Sequence, residues 1–226
     1  NNDCDGAPGG AGGGIGLLSP PSSVVVTTLV SASAGAPTSD QDIRGLSLVS
    51  EGGYGGRGNH SVGSGPRGGA GGDAGGIEAR GPAVTVGGAD TPIYAQNVLG
   101  LVVRSLGGRG PNDYNSAAGE SQGGGGESDG GSGGEIEIVR TGAVDVTGFA
   151  TGSDGAVRSI SLLSAGGDGG WAFDVGDFDG TTDGGPGGAG GKVTLAIDGD
   201  VTVTQTEPGR TGARSAAVLV QSVGGD

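Results

Sequence analysis

GGPGGAGGKVTLAIDGDVTVT, running from Gly184 to Thr204, holds the chain's two building habits side by side. Its first eight residues are glycine at two of every three positions. Its remainder alternates apolar and polar residues around an Asp198-Gly199 turn, which predicts two short strands. Comparable glycine tracts stand at Gly6 to Gly14, Gly65 to Gly76 and Gly123 to Gly134, each ahead of a β-rich block. The tracts end at Gly14, Gly76, Gly134 and Gly191, at spacings of 62, 58 and 57 residues. An apolar run closing on a glycine pair recurs independently at Gly53, Gly108, Gly167 and Gly225, at spacings of 55, 59 and 58. Two markers with one period of about 58 residues decide the architecture before any local propensity does.

Each unit divides into three strands. The last has Lys192 to Ile197, Asp200 to Thr204 and Ala216 to Val220, and the glycine pair ends it. The third repeats the plan in Glu135 to Val139, Ala143 to Ala150 and Ser159 to Ser164. The second does so as IEARG, AVTVGG and LGLVVRSL, and the first carries Ser22 to Ser33 as its main strand. Three strands per unit, unit upon unit, predict an all-β fold, a parallel β-solenoid of about four repeats. The repeats fall at about 1–76 (atypical), 77–134, 135–191 and 192–226 (truncated), within a single repeat domain spanning 1–226. With strands ~4.8 Å apart, four one-rung units extend roughly 15–20 Å.

The glycine tracts suit a polyglycine or polyproline-II-type helix, with three residues per turn. Pro186 and Ala189, or Ala70 and Asp73, then share one row and leave two faces bare. Such a helix makes no internal hydrogen bonds, and ordering eight residues costs on the order of 10 kcal/mol. Tracts stacked beside the solenoid are therefore expected to order only together.

Composition limits the functions available. Glycine is 59 of 226 residues, aromatics are 3% and the net charge is −14. A compact core of large side chains has little to build on. The acidity repels phosphate backbones and argues against nucleic acid as a partner. No apolar run is long enough for a membrane span. Met is absent and the chain opens on Asn1, so it reads as a segment of something longer. A lone cysteine, Cys4, excludes an internal disulfide and suits a contact with another chain. His60 is the only histidine, set in a glycine-rich loop.

One loop stands out, DGGWAFDVGDFDGTTD at 168–183. Asp174, Asp177, Asp179 and Asp183 offer hard oxygen ligands on a glycine-kinked loop, a donor set that suits Ca²⁺. The EF-hand spacing is missing, and a solvated acidic loop is the plainer reading. Trp171, Phe173 and Phe178 sit among these acids and are candidates for a binding or assembly contact. No nucleophile elbow, phosphate loop or Cys/His pair supports catalysis, so an enzyme is not expected.

The closing segment, with Ile197-Asp198-Gly199-Asp200-Val201 and Val220-Gln221-Ser222-Val223-Gly224-Gly225, resembles the repeats of glycine-rich autotransporter passengers of Gram-negative bacteria. Ser47 to Gly53, Val103 to Gly108 and Ser161 to Gly167 keep the pattern more loosely. The resemblance implies a type V secreted, β-helical stalk or adhesin at the cell surface, exposed at the outer membrane, with a surface receptor or self-association as its partner. It brings no catalytic residues. The alternative is a subunit or slice of an extracellular filament assembling end to end. Ice binding ranks last, because the row Thr202, Thr204, Thr206 is short and broken by charge.

Overall fold

A computed structural model describes residues 7–19, 23–26, 42–56, 68–111, 128–150, 155–170, 185–205 and 214–226. These residues are all β, with no helix. The strands are β1 (Ile15–Leu17), β2 (Ser23–Val26), β3 (Asp42–Glu51), β4 (Ile77–Gly81), β5 (Ala83–Val86), β6 (Ile93–Ala95) and β7 (Asn97–Leu106). They continue as β8 (Ile136–Thr141), β9 (Val144–Ala150), β10 (Ala156–Ala165), β11 (Val193–Ile197), β12 (Val201–Gln205) and β13 (Arg214–Val223).

The strands lie in three sheets, and every pairing between them is parallel. The first sheet runs β1-β4-β8-β11, the second β12-β9-β5-β2 with β6 also on β9, and the third β13-β10-β7-β3. The chain thus visits the three sheets in turn and returns to the first. Registers put like residues in rows. Ile15, Ile77, Ile136 and Val193 align in the first sheet. Val24, Val84, Val144 and Val201 align in the second. Leu46, Leu101, Ile160 and Val218 align in the third.

The alternation explains why these rows hold. Strand side chains alternate faces, so Ile136 and Ile138 turn inward while Glu137 turns outward. The inward rows of all three sheets meet in one aliphatic core, including Ile77, Val84, Val103, Ile136, Val146 and Leu162. The sheets press closely at one row of the third sheet. A methyl group on Gly45 would run into the Val84 side chain, and one on Gly100 into Val144. The same row holds Ser159, whose hydroxyl donates to the Thr202 carbonyl oxygen across the gap.

Two features go beyond the sequence reading. The four strands of the third sheet are each ten residues long, so β13 extends through Gln221 and Ser222 rather than stopping at Val220. An additional strand, β6, stands between β5 and β7. The chain reaches it through Gly87, whose φ of 70° lies in the left-handed region that favours glycine. Of the strand expected at Ser22 to Ser33, only Ser23–Val26 falls among the described residues.

Candidate functional site: glycine layers and open strand edges

The glycine segments are bonded into two layers beside the sheets. One layer holds the tracts 7–14, 68–76, 129–135 and 185–191. The other holds the segments following the third-sheet strands, 52–56, 107–111, 166–170 and 224–226. Adjacent tracts are joined by Gly9 N–H to Ala70 O, Gly71 N–H to Asp129 O and Gly130 N–H to Pro186 O. Three residues further on, Gly12 donates to Asp73 O, Ala74 to Ser132 O and Gly133 to Ala189 O. The bond pattern therefore repeats every third residue.

Between the layers the bonds alternate without a break. Gly225 donates to Gly188, Gly188 to Gly167, Gly167 to Gly131, Gly131 to Gly108, Gly108 to Gly72, Gly72 to Gly53 and Gly53 to Gly10. All seven bonds measure 2.7–2.9 Å. Contacts this close leave no room for a side chain at Gly72, Gly108, Gly131, Gly167 or Gly188. A methyl group on Gly72 would collide with the Gly10 carbonyl oxygen, and one on Gly108 with that of Gly53. The glycine pair that was expected only to end a strand therefore builds half of this assembly.

A column of serines ties the layers to the third sheet. Ser50 Oγ donates to Gly13 O and accepts from Gly75 N–H, both at 2.9 Å. Ser105 Oγ donates to Gly75 O at 3.0 Å and accepts from Gly134 N–H at 2.8 Å. Ser164 Oγ donates to Gly134 O at 2.9 Å and accepts from Gly191 N–H at 2.8 Å. Ser222 Oγ donates to Gly191 O at 2.9 Å. Ser105 and Ser164 are fully buried, so these pairings satisfy groups that water cannot reach. The sequence reading passed over these serines, although Ser-x-Gly-Gly recurs four times within the marker it used.

The two ends of the stack differ from its middle. Val218 and Val220 point along the core rows of Ile160 and Leu162, yet they are 38% and 44% exposed where those two are fully buried. No strand covers β11, β12 and β13 on that side among the described residues, nor β1, β2 and β3 on the other. On the flank, an open trough of about 330 Å³ has a floor of glycine backbone from 107–108 and 166–167. Glu51, Tyr54, Arg109 and Asp168 stand along it, and Arg109 and Asp168 form an ion pair at 3.2 Å.

Of the residues singled out from sequence, Cys4, His60, Trp171, Phe173, Asp174, Asp177, Phe178, Asp179 and Asp183 lie outside the described residues. Asp168, at the head of the acidic loop, takes part in the Arg109 pair. Among the described residues, no group of three or more His, Cys, Asp or Glu could hold a metal ion. No helix is long and apolar enough to cross a membrane. Comparison of the chain with protein-family models, with characterised proteins and with solved structures finds no match to any of the three.

Proposed function

We propose that this chain is an extracellular structural or adhesive surface protein. In this reading it is a stalk-forming slice of parallel β-solenoid, stiffened by two layers of polyglycine-type helices. The carrying observation is the serine column, which repeats one set of bonds on successive rungs. A repeating bond pattern favours a rod, because each rung needs only its neighbours for stability. The sequence resemblance to autotransporter passengers, and an acidic surface that resists non-specific binding to anionic partners, support placement outside the cell.

The test is location and shape in the native organism. Antibody to this chain should label intact cells, and electron microscopy should find thin rods of finite length at the surface. Labelling only after lysis would overturn the reading. The parallel repetition of like strands in each sheet is equally compatible with a second reading, a subunit or slice of an extracellular filament. Continuous fibres with a subunit-sized axial repeat would select it. A calcium site at Asp174, Asp177, Asp179 and Asp183 belongs to the same proposal. Calcium titration followed by tryptophan fluorescence at Trp171 should saturate, and the response should disappear in Asp177→Asn/Asp179→Asn.

A further inference from the structure

We infer that the flank trough walled by Glu51, Tyr54, Arg109 and Asp168 is a binding site for a saccharide, a ligand of closely spaced hydroxyls with no net negative charge. The inference rests on the adhesive reading above and gives that reading a ligand class.

Two rows of side chains make the walls. Strand register aligns Glu51, Leu106 and Ala165 as one row. Tyr54, Arg109 and Asp168 form the other, fixed by Gly55 N–H on Arg109 O and Gly110 N–H on Asp168 O, both at 3.0 Å. The rows stand three residues apart along polyglycine-type segments, so roughly 9 Å separates them. Between them the floor is glycine, and no side chain fills the space of about 330 Å³. The walls come from three successive segments and the trough opens on the flank. A strand added at either edge of the sheets therefore leaves it open.

The trough offers hydrogen bonds of both senses. Elsewhere in the layers the backbone is fully engaged, as at Gly108, which both donates to Gly72 O and accepts from Gly131 N–H. Here the carbonyl oxygens of Gly107 and Gly166 accept no backbone bond from the described residues, and the N–H groups of Arg109 and Asp168 donate none to them. These unspent groups recur from one segment to the next, ~4.8 Å apart. Glu51 and Asp168 add acceptors. Arg109 adds donors, because its ion pair with Asp168 engages Nε and leaves the two terminal nitrogens without a partner among the described residues. Tyr54, 69% exposed, supplies an aromatic face and a hydroxyl beside them.

This mixture selects among ligands. An aliphatic chain or an apolar helix finds little beyond Leu106, Ala165 and the Tyr54 ring. A phosphate or sulfate meets two carboxylates against one guanidinium, on a chain of net charge −14. An extended peptide repeats its backbone groups every second residue, roughly 6.6 Å, which does not match like groups ~4.8 Å apart. A sugar ring carries hydroxyls that both donate and accept, and its C–H face lies flat on an aromatic ring.

The test is an array of immobilised oligosaccharides, comprising glucans, mannans, galactans, N-acetylated amino-sugar polymers and polyuronates. The intact chain should bind neutral or N-acetylated members and ignore the polyuronates. The member with the strongest signal is then titrated calorimetrically. Tyr54→Ala and Asp168→Asn should each weaken it about tenfold, the effect of losing one anchoring contact. Both side chains are exposed, so the thermal melt should stay in place. Glu78→Gln, on the outer face of the first sheet, should leave the affinity unchanged. In ¹⁵N spectra the amides of Gly107, Gly108, Gly166 and Gly167 should shift with the titration. Binding to no member, binding to polyuronates alone, or wild-type affinity in both trough variants would overturn the site. A chain that labels intact cells yet binds nothing on the array keeps the stalk and loses the trough site. Labelling only after lysis removes the surface reading, whatever the array shows.

Discussion

A serine hydroxyl and a missing methyl group do much of the structural work here. Ser105 both donates to Gly75 O and accepts from Gly134 N–H in a fully buried position. Ser105→Ala leaves two backbone groups without partners, and each such group costs about 1–3 kcal/mol. Urea unfolding should show a loss of roughly 2–4 kcal/mol. Gly108→Ala, whose methyl collides with backbone rather than with a movable side chain, should lose about 3 kcal/mol or more. Gly13→Ala, made in open space, should change the same measurement by less than about 0.5 kcal/mol. Asp42 adds a pH dependence. Burial works to raise its pKa, but hydrogen bonds from Asn97 and Arg44, with the charges of Arg44 and Arg104, outweigh it and hold the carboxyl below 3.8. A group depressed on folding stabilises above its unfolded pKa and loses that contribution as pH falls through the folded value. Asp42→Asn should therefore show its full, pH-independent loss of stability in the neutral range, and that loss should shrink as pH falls below 3.8, making acid unfolding less steep.

At the scale of elements, the strands were legible because their rows are chemically plain. Ile77, Ile136 and Val193 alternate with polar neighbours, and that alternation alone places β4, β8 and β11. The glycine pairs were harder, since glycine is the common mark of a strand's end and nothing local distinguishes an end from an interlayer contact. The distinguishing sign was the serine two positions before each pair, which has meaning only once Gly13, Gly75, Gly134 and Gly191 are seen to receive it. β6 gave no signal because Ile93–Ala95 is three residues long and pairs only with the far end of β9. The loop at 171–183, which drew the site expectations, falls outside the described residues. The tracts make a prediction of their own. Hydrogen exchange should be slow at Gly71, Gly72, Gly130 and Gly131, whose amides are bonded, and fast at Asp73, whose place in the period turns toward solvent. Uniformly fast exchange through 68–76 would show that the layers do not form.

For the whole molecule, the salient fact is direction. Strand pairings, tract pairings and the serine column each join a segment to its neighbour, and in the proposed stack these bonds run along its axis. Within a rung, the three sheets meet through aliphatic side chains. Held at its two termini and stretched in an optical trap, such a body is loaded along its hydrogen bonds and gives way one layer at a time. Each layer of about 58 residues should release on the order of 20 nm of chain at 3.3–3.6 Å per residue. The force record should be a short series of similar low steps. A single high rupture would mean that the layers fail together. A surface rod with the stepped behaviour would act as an extensible tether, yielding in measured lengths under drag and recovering when the pull relaxes.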